Sequence, residues 1–302
     1  MGISGIINVL KPPGMTSHDV VSWVRRTINV RKVGHGGTLD PYAAGVLPIF
    51  IGKATKAVRF FESDDKEYIA ELLLGVTTKT GDAQGAVTSR KNFNVDETVL
   101  KKTLVNFVGR IKQIPPMYSA VHHKGKRLYE LARRGITVER NPRIVEIKSI
   151  ELLHLQNCRA ILKVSCSKGT YIRTLCEDIG KHIGCGACLS SLVRTRSGLF
   201  LISNSFTIEE ISVLVEDGTI HRSIIHVDDA LKHFPKVKVG LSAEMFISKG
   251  KYICQGNIDL LKKLTCSDIV RIYDNSNIFI GIGEIRKKQD GNIYVSLIKS
   301  LR

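Results

Sequence analysis

Residues Arg31 to Pro48 read RKVGHGGTLDPYAAGVLP, a stretch that joins a glycine-rich turn to the start of an apolar run. Three glycines surround His35, so the backbone there can adopt positive φ angles and approach another molecule closely. Asp40 precedes Pro41, and a proline biases the residue before it toward an extended conformation. The stretch therefore predicts an acid held on a shaped loop in front of a buried strand.

Other interpretations of this stretch compete with a catalytic acid. An Asp-Pro pair between glycine-rich and apolar segments is a common turn signal, and from the chemistry alone this is the more frequent role for Asp40. A phosphate loop fits poorly, because six residues separate Gly45 from Gly52 and Ala54 follows Lys53 where Ser or Thr is required. A dinucleotide fingerprint also fails, since Leu39 occupies the place of its third glycine.

Composition indicates a protein that binds polyanions. The 302 residues include 45 Lys and Arg against 28 Asp and Glu, a net charge of +17, and 43% hydrophobic residues, enough for a full core. Such an excess favours nucleic acid as the partner, with an acidic membrane surface second. The apolar runs are only strand length and the N-terminus lacks a signal-peptide pattern, so no membrane association is expected.

Cysteine usage predicts a cytoplasmic protein without a metal site. The seven cysteines are an odd number and are scattered, which fits reduced thiols better than a disulfide framework. Cys185 and Cys188 form a CxxC pair, but no second pair at zinc-binding spacing accompanies it.

Hydrophobic periodicity predicts a chain that mixes strands and helices. Strands are expected at 5–10, 46–52, 66–75, 118–122, in two runs within 142–167, and at 189–202, and helices at 16–29, 53–62, 96–108, 127–134, 174–183 and 207–217. From about Pro235 the sequence alternates strictly, with Asp290-Gly291 as a hairpin turn. Residues 232–302 carry 13 Lys and Arg against 6 Asp and Glu, so a compact basic β module is expected there.

Two further regions carry clustered cations. In the block from Gly109 to Gly135, basic residues that include Arg133 alternate with Tyr118 and Tyr129. Such a mixture suits a surface that binds phosphates and on which unpaired bases stack. Arg194 and a neighbouring arginine are expected to project from the strand at 189–202.

Arg173 follows the segment SKGTYI and falls in the first turn of the predicted helix, with Thr170 as the expected N-cap. A cation there opposes the helix dipole, which suggests an anionic partner. An ion pair with Glu177, one turn along the helix, is the more common arrangement, and the pattern leaves both open.

The motifs together resemble the bacterial tRNA pseudouridine synthase TruB family over residues 3–200. They are GIINVLKPPGMTSHDVV, KVGHGGTLDPYAAGVLPI, KEYIAELLLG, IPPMYSAVHHKGKRLYELARRG and CSKGTYIRTLCEDIG. The resemblance implies an α+β fold: a mixed, mainly antiparallel central sheet with flanking helices, in a catalytic domain of residues 1–230. Residues 231–302 resemble a small, β-barrel-like RNA-binding domain of the PUA type.

The resemblance also implies an isomerase that converts the uridine at position 55, in the T stem-loop of tRNA, to pseudouridine. It implies no cofactor, no metal and no obligate protein partner. Asp40 corresponds to the family's essential aspartate, Tyr68 to a tyrosine that stacks on the target base, and Arg173 to an arginine that pairs with the aspartate. Such a guanidinium would keep Asp40 ionised for work at the glycosidic bond.

Further residues are expected to contact RNA. His35 matches a histidine that occupies space vacated by flipped bases, and Tyr171 lies in the same pocket motif. The remaining predicted RNA contacts are basic residues: Lys11, Lys53, Arg133 and Arg194. Cys188 and Val193 depart from the family's A-H-x-x-x-L-R-R-T pattern, where His and Arg are usual.

Two rival functions remain open at this stage. One is a non-catalytic factor that binds or folds tRNA with the same basic groove, since family likeness does not guarantee turnover. The other is a pseudouridine synthase that acts on a different RNA within a ribonucleoprotein. The first would not need Asp40 and Arg173 together, and the second would be expected to carry docking extensions.

Overall fold

The structure is a computed structural model that describes residues 3–61, 65–238, 253–254, 268–287 and 293–301. In these residues a ten-stranded mixed sheet forms the larger part of the fold, and a five-stranded sheet follows it near the C-terminus. Two short hairpins complete the β structure of the described residues. Helices flank the large sheet, so the predicted α+β class is confirmed.

The elements have the following bounds. The strands are β1 (Gly5–Lys11), β2 (Val33–His35), β3 (Ala44–Ile51), β4 (Lys66–Leu74), β5 (Val76–Thr78), β6 (Val87–Arg90), β7 (Gly109–Gln113), β8 (His122–His123), β9 (Lys126–Arg127), β10 (Arg143–Gln156), β11 (Arg159–Cys166), β12 (Ala187–Ser197), β13 (Phe200–Leu201), β14 (Ile224–Ile225), β15 (Lys236–Lys238), β16 (Ile253–Cys254), β17 (Ile269–Tyr273), β18 (Phe279–Lys287) and β19 (Ile293–Ser300). The α-helices are α1 (Ser17–Thr27), α2 (Glu97–Val105), α3 (Leu128–Arg133), α4 (Ile172–Ile183), α5 (Ile208–Glu216) and α6 (Val227–Ala230). Three 3-10 helices span Gly52–Phe60, Ile202–Asn204 and Ile220–Ser223.

The large sheet is mainly antiparallel, in the order β14-β1-β3-β12-β4-β11-β10-β7. Its parallel contact joins β3 to β12, where Gly45 lies opposite Arg194. Gly45 has a φ of +112°, and a side chain there would collide with the Arg194 backbone, so glycine is required at this crossing. On the other side of β12, Arg194 lies opposite Tyr68 of β4. The register therefore brings Tyr68 next to the start of β3, directly after the loop that carries Asp40.

Helix α1 begins as predicted, with a capping box between Thr16 and Asp19. Its apolar face, which includes Val20 and Val24, is buried against the sheet beside Leu47. In β4 alternate residues are buried, as the period-2 pattern predicts. The two runs within 142–167 form the hairpin of β10 and β11.

Near the C-terminus, the five-stranded sheet runs in the order β15-β17-β18-β19-β16. Ile282 of this sheet packs in one buried cluster with Leu231 and with Phe50 of the large sheet. Arg271 donates a hydrogen bond to Asp228 of α6 at 2.9 Å. The predicted Asp290-Gly291 turn lies outside the described residues, and the domain boundary between residues 230 and 231 stays a prediction.

Three local predictions were wrong. The helix expected at 53–62 is a 3-10 helix at Gly52–Phe60, because exposed and buried side chains repeat there every three residues, which matches three residues per turn. The strand expected at 118–122 is reduced to the two residues of β8. Thr170 does not cap α4; its hydroxyl donates to the Ser167 carbonyl, and Tyr171 is the N-cap residue without a side-chain cap.

Candidate active site

Asp40 lies on a tight turn, Asp40–Ala43, that precedes β3. The Ala43 N–H donates to the Asp40 carbonyl at 3.1 Å, which closes the turn. The residue before it is fixed to the start of α1, because the Ser17 hydroxyl accepts from the Leu39 N–H at 2.8 Å and donates to the Leu39 carbonyl at 3.1 Å. The acid is therefore held by backbone contacts on both sides.

The Lys11 side chain is buried next to this turn and supports it. This corrects the prediction of Lys11 as an RNA contact. Its side chain is 0% exposed, and its ammonium donates to the carbonyls of Pro12, Met15 and Pro41 at 2.6 to 2.9 Å. Burial lowers the pKa of Lys11 to about 8, so the group is still protonated at neutral pH. All three ammonium hydrogens thus have acceptors, one of them in the Asp40 turn.

Arg194 likewise does not project into solvent. Its strand, β12, lies between β3 and β4, and the side chain is 1% exposed. It donates to the carbonyl of Val46 at 2.7 Å and to those of Gly37 and Thr38 at 3.1 and 3.4 Å. The position of Arg194 therefore indicates that it fixes the glycine-rich loop and does not contact RNA.

Arg173 pairs with Asp40 across 133 residues of sequence. Its Nε lies 2.8 Å from Asp40 Oδ2 and its Nη2 lies 3.1 Å from Oδ1, a bidentate arrangement. The guanidinium also donates to the carbonyls of Thr80 at 3.1 Å and Tyr118 at 2.7 Å. No ion pair joins Arg173 to Glu177 in the described residues, so the anionic partner that the helix start suggested is Asp40.

A second carboxylate, Asp82, was missed by the sequence reasoning. Its Oδ2 lies 3.9 Å from Arg173 Nε, and it lines the same cavity as Asp40. The segment TGDAQG forms a turn in which Asp82 accepts from the Thr80 hydroxyl at 2.6 Å and from the Gln84 N–H at 3.1 Å. The signal that could have revealed Asp82 was a carboxylate on a glycine-flanked turn, the same pattern as in the Asp40 segment.

Tyr68 lies beneath the Asp40 turn, in one buried cluster with Leu39 and Ala43. The residue is 9% exposed, and burial raises the pKa of its phenol above the ordinary value of 10. The phenol is therefore protonated at neutral pH, which suits a stacking surface better than a base.

A cavity of about 750 Å³ contains the Asp40–Arg173 ion pair in its wall. It is lined by Asp40, Arg173 and His35, and by Tyr129 and Arg133 of the arm, a segment defined here as residues 114–142 between β7 and β10. The Arg133 guanidinium lies 5.5 Å from the centre of the Tyr129 ring. Burial lowers the pKa of His35, so its imidazole is neutral at pH 7 and offers an uncharged face to a base.

Five of the predicted residues do not line the cavity: Tyr68, Lys11 and Arg194, described above, and also Tyr171 and Lys53. Tyr171 is anchored by its backbone, because its N–H donates to the Gln113 side chain at 3.0 Å and its carbonyl accepts from the same amide at 3.3 Å. Lys53 is exposed and follows the end of β3 that pairs with Gly5, roughly 20 Å or more from the Asp40 turn.

The two departures from the family pattern, Cys188 and Val193, lie on β12, where Val193 pairs with Ala44, the residue after the Asp40 turn. Cys188 is 0% exposed, and burial raises the pKa of its thiol, so it fills space in the interior.

In the described residues no group of three His, Cys, Asp or Glu side chains could hold a metal ion. None of the helices described is long and apolar enough to cross a membrane.

The chain is similar to curated proteins along its whole length. A tRNA pseudouridine synthase B of Alkaliphilus oremlandii is 42% identical over 302 residues, which cover 99% of both chains. A protein of the same name from Pelotomaculum thermopropionicum is 45% identical over 277 residues, 89% of this chain and 88% of the relative. The chain belongs to the TruB family.

Family models give the same assignment. The TruB family pseudouridylate synthase N-terminal domain matches residues 25–172, and the tRNA pseudouridylate synthase B C-terminal domain matches 173–232. The C-terminal model of pseudouridine synthase II TruB matches 242–295. TruB membership confirms the predicted activity class, an isomerase that forms pseudouridine from uridine, and disfavours a non-catalytic binder.

Solved structures share the TruB fold. A chain of a Cbf5-Nop10-Gar1 complex has a TM-score of 0.75 and 28% identity, and the match covers 99% of this chain and 85% of that chain. A chain of an H/ACA RNP bound to a substrate RNA containing 2'-deoxyuridine has a TM-score of 0.73 and 27% identity, with the same coverage. The shared fold includes the C-terminal sheet, because the matches extend over nearly all of this chain.

Proposed function

We propose that this protein isomerises the uridine at position 55 in the T stem-loop of tRNA, and that it does so without a protein partner, in the cytoplasm. The observation that carries the proposal is the bidentate Asp40–Arg173 pair at the bottom of a cavity lined by basic and aromatic side chains. The relatives that span the full chain are named for action on tRNA, which supports this substrate.

The reaction exchanges one bond of the uridine for another. The bond from C1′ to N1 breaks, a bond from C1′ to C5 forms, the C5 proton leaves and N1 is protonated. Asp40 is the nucleophile or the anionic stabiliser in this step, either at C1′ of the ribose or at C6 of the base. No oxidant or reductant is needed, because the product is an isomer of the substrate.

The neighbours of Asp40 are proposed to prepare it for this step. Arg173 holds both carboxylate oxygens, so the acid is oriented before the substrate arrives. Tyr68 packs beneath the Asp40 turn and does not line the cavity, so its proposed stacking on the uracil requires this turn to shift. His35 lines the cavity and presents a neutral ring to the bases next to the target. The group that removes the C5 proton stays open, since the raised pKa of Tyr68 disfavours its phenolate.

The direct test is mass-resolved mapping of pseudouridine in an unmodified T stem-loop RNA after incubation with the purified protein alone. Conversion of the position-55 uridine, and of no other uridine in the loop, is expected. A protein that binds the RNA but leaves every uridine unchanged would contradict the proposal. A requirement for an added protein would contradict its partner-free form.

Replacing Lys11 by Met is expected to lower kcat at least tenfold while the affinity for RNA stays within about threefold. The reason is that three backbone carbonyls, including that of Pro41, lose a buried charged donor, so the Asp40 turn shifts. The free energy of unfolding should fall by about 2 kcal/mol, measured by urea titration. The exposed Lys32, changed to Met, is the matched control and should leave kcat and unfolding unchanged.

That experiment also separates the two roles considered for Lys11. A surface phosphate contact would show mainly weaker RNA binding and a smaller dependence of affinity on salt. An unchanged kcat together with weaker binding would therefore contradict the buried, positioning role.

Replacing Lys53 by Glu is expected to weaken RNA binding several-fold without changing kcat. Lys53, Lys56 and Arg59 lie on one exposed row of the 3-10 helix, because that helix has three residues per turn. The salt dependence of binding should become shallower by about one to two charges. Lys102→Glu on α2 makes the same charge change away from this row and should have a smaller effect; equal effects would show that net charge alone is responsible.

A further inference from the structure

Tyr42 is an exposed aromatic residue at the edge of the active-site cavity, and nothing in the mechanism above uses it. The residue is 60% exposed, yet it lies between Leu39 and Ala43, which are 4% and 2% exposed. It lines the same cavity as Asp40 and Arg173. A large aromatic ring is thus presented to solvent from a turn whose flanking residues, Leu39 and Ala43, are buried.

The backbone that carries Tyr42 is rigid. Tyr42 is the third residue of the Asp40 turn, whose closing hydrogen bond joins Ala43 to Asp40 at 3.1 Å. The carbonyl before it, that of Pro41, accepts from the Lys11 ammonium and from the Gly14 N–H, both at 2.9 Å. Because this backbone is already held in place, the Tyr42 ring loses little conformational entropy when it binds a ligand. More of the free energy of its contacts therefore appears as affinity.

The Tyr42 ring is 60% exposed and has no stacking partner among the described residues. No aromatic ring and no cationic side chain of the described residues stacks on it, whereas Tyr129 carries the Arg133 guanidinium and Tyr273 carries Lys236. Tyr68, in contrast, is buried. Tyr42 therefore has an unused π face beside a cavity that is rimmed by cations.

We propose that Tyr42 is a stacking platform for an unpaired RNA base next to the target uridine. Two residues of chain span at most about 7 Å, so the Cα atoms of Tyr42 and Asp40 are no farther apart than this, and both residues line the same cavity. When the target uridine leaves its stack, the neighbouring base loses a stacking partner, and an aromatic ring can replace that partner. Because every base has a π face, this contact tolerates sequence variation at the neighbouring position.

The inference rests on the proposed function, and it is tested with four variants assayed on an unmodified T stem-loop RNA under single-turnover conditions. Tyr42→Phe should stay within twofold of wild type in affinity and rate. Tyr42→Ala should weaken RNA binding about tenfold, with the maximal rate within threefold. Tyr42→Leu keeps an apolar side chain but no π face, and should lose nearly as much affinity as Tyr42→Ala. The dependence of affinity on salt should be the same in all of them, because no charge changes.

Tyr42→Trp reports the stack directly. It should stay active, and RNA should quench its fluorescence beyond the change seen for wild type, whose sequence contains one Trp. An RNA with an abasic nucleotide placed in turn on the 5′ and the 3′ side of the target identifies the base. At one of these positions wild type and Tyr42→Ala should bind equally well.

Three results would overturn the inference. These are wild-type affinity for Tyr42→Ala, wild-type affinity for Tyr42→Leu, or a penalty for Tyr42→Ala that persists with both abasic RNAs. Failure of the proposed function is recognised separately, because wild type itself would then form no pseudouridine. The quenching of Tyr42→Trp by RNA can still be measured in that case.

Discussion

The Asp40→Asn variant is expected to form pseudouridine at least about a thousandfold more slowly than wild type, with RNA affinity within tenfold. Asn matches Asp in shape, so the turn and its hydrogen bonds should persist. An amide, however, neither attacks carbon at a useful rate nor stabilises a glycosyl cation as a carboxylate does. The loss should therefore fall on the chemical step and not on binding.

Tritium release from RNA labelled at C5 of the target uridine measures this step, because the C5 proton leaves during isomerisation. The matched control is Asp82→Asn, which makes the same chemical change at the second carboxylate near Arg173. Its rate should fall about tenfold to a hundredfold, because Asp82 lies 3.9 Å from Arg173 and not in bidentate contact. Wild-type turnover by Asp40→Asn would remove Asp40 from the mechanism altogether.

Sequence reasoning located the acid and its surroundings where local rules apply. Three glycines open positive φ angles to the backbone before Asp40, and the proline after it restricts Asp40 itself, whatever the tertiary context, so the segment could be interpreted without the fold. The alternation in β4 likewise placed Tyr68 on the buried face. The partner of Arg173 could not be deduced in this way, because Glu177 was local whereas Asp40 was brought close only by the sheet.

The errors have a common physical origin. Lys11 and Arg194 were both predicted to contact RNA, Lys11 from the family resemblance and Arg194 because it was expected to project from its strand. Their partners are backbone carbonyls in and around the Asp40 loop, and a loop's carbonyls are not visible in a sequence pattern. The two residues lie on the strands that flank β3, Lys11 on β1 and Arg194 on β12. Lys11 and Arg194 are thus buried cations that hold the Asp40 loop by its backbone carbonyls, and neither lines the cavity.

Arg173→Lys is expected to lower kcat by about a hundredfold or more although it keeps the positive charge. A lysine ammonium cannot hold both oxygens of Asp40 and also reach the carbonyls of Thr80 and Tyr118, as the guanidinium does. The Asp40 carboxylate would therefore be less well oriented, and the part of the arm that contains Tyr118 would lose its link to α4. RNA affinity should change less than kcat, because Arg173 is only 5% exposed.

Arg173→Met removes the charge as well and separates electrostatics from geometry. It leaves the carboxylates of Asp40 and Asp82 facing each other without a cation, so the free energy of unfolding should fall by about 2 kcal/mol or more. Adding Asp40→Asn to Arg173→Met removes one of these charges and should recover part of that stability, while activity stays absent. Urea unfolding of the two single variants and the double variant measures the coupling. Strictly additive unfolding energies would show that the two side chains do not interact in the folded protein, and the proposed role of Arg173 would have to be abandoned.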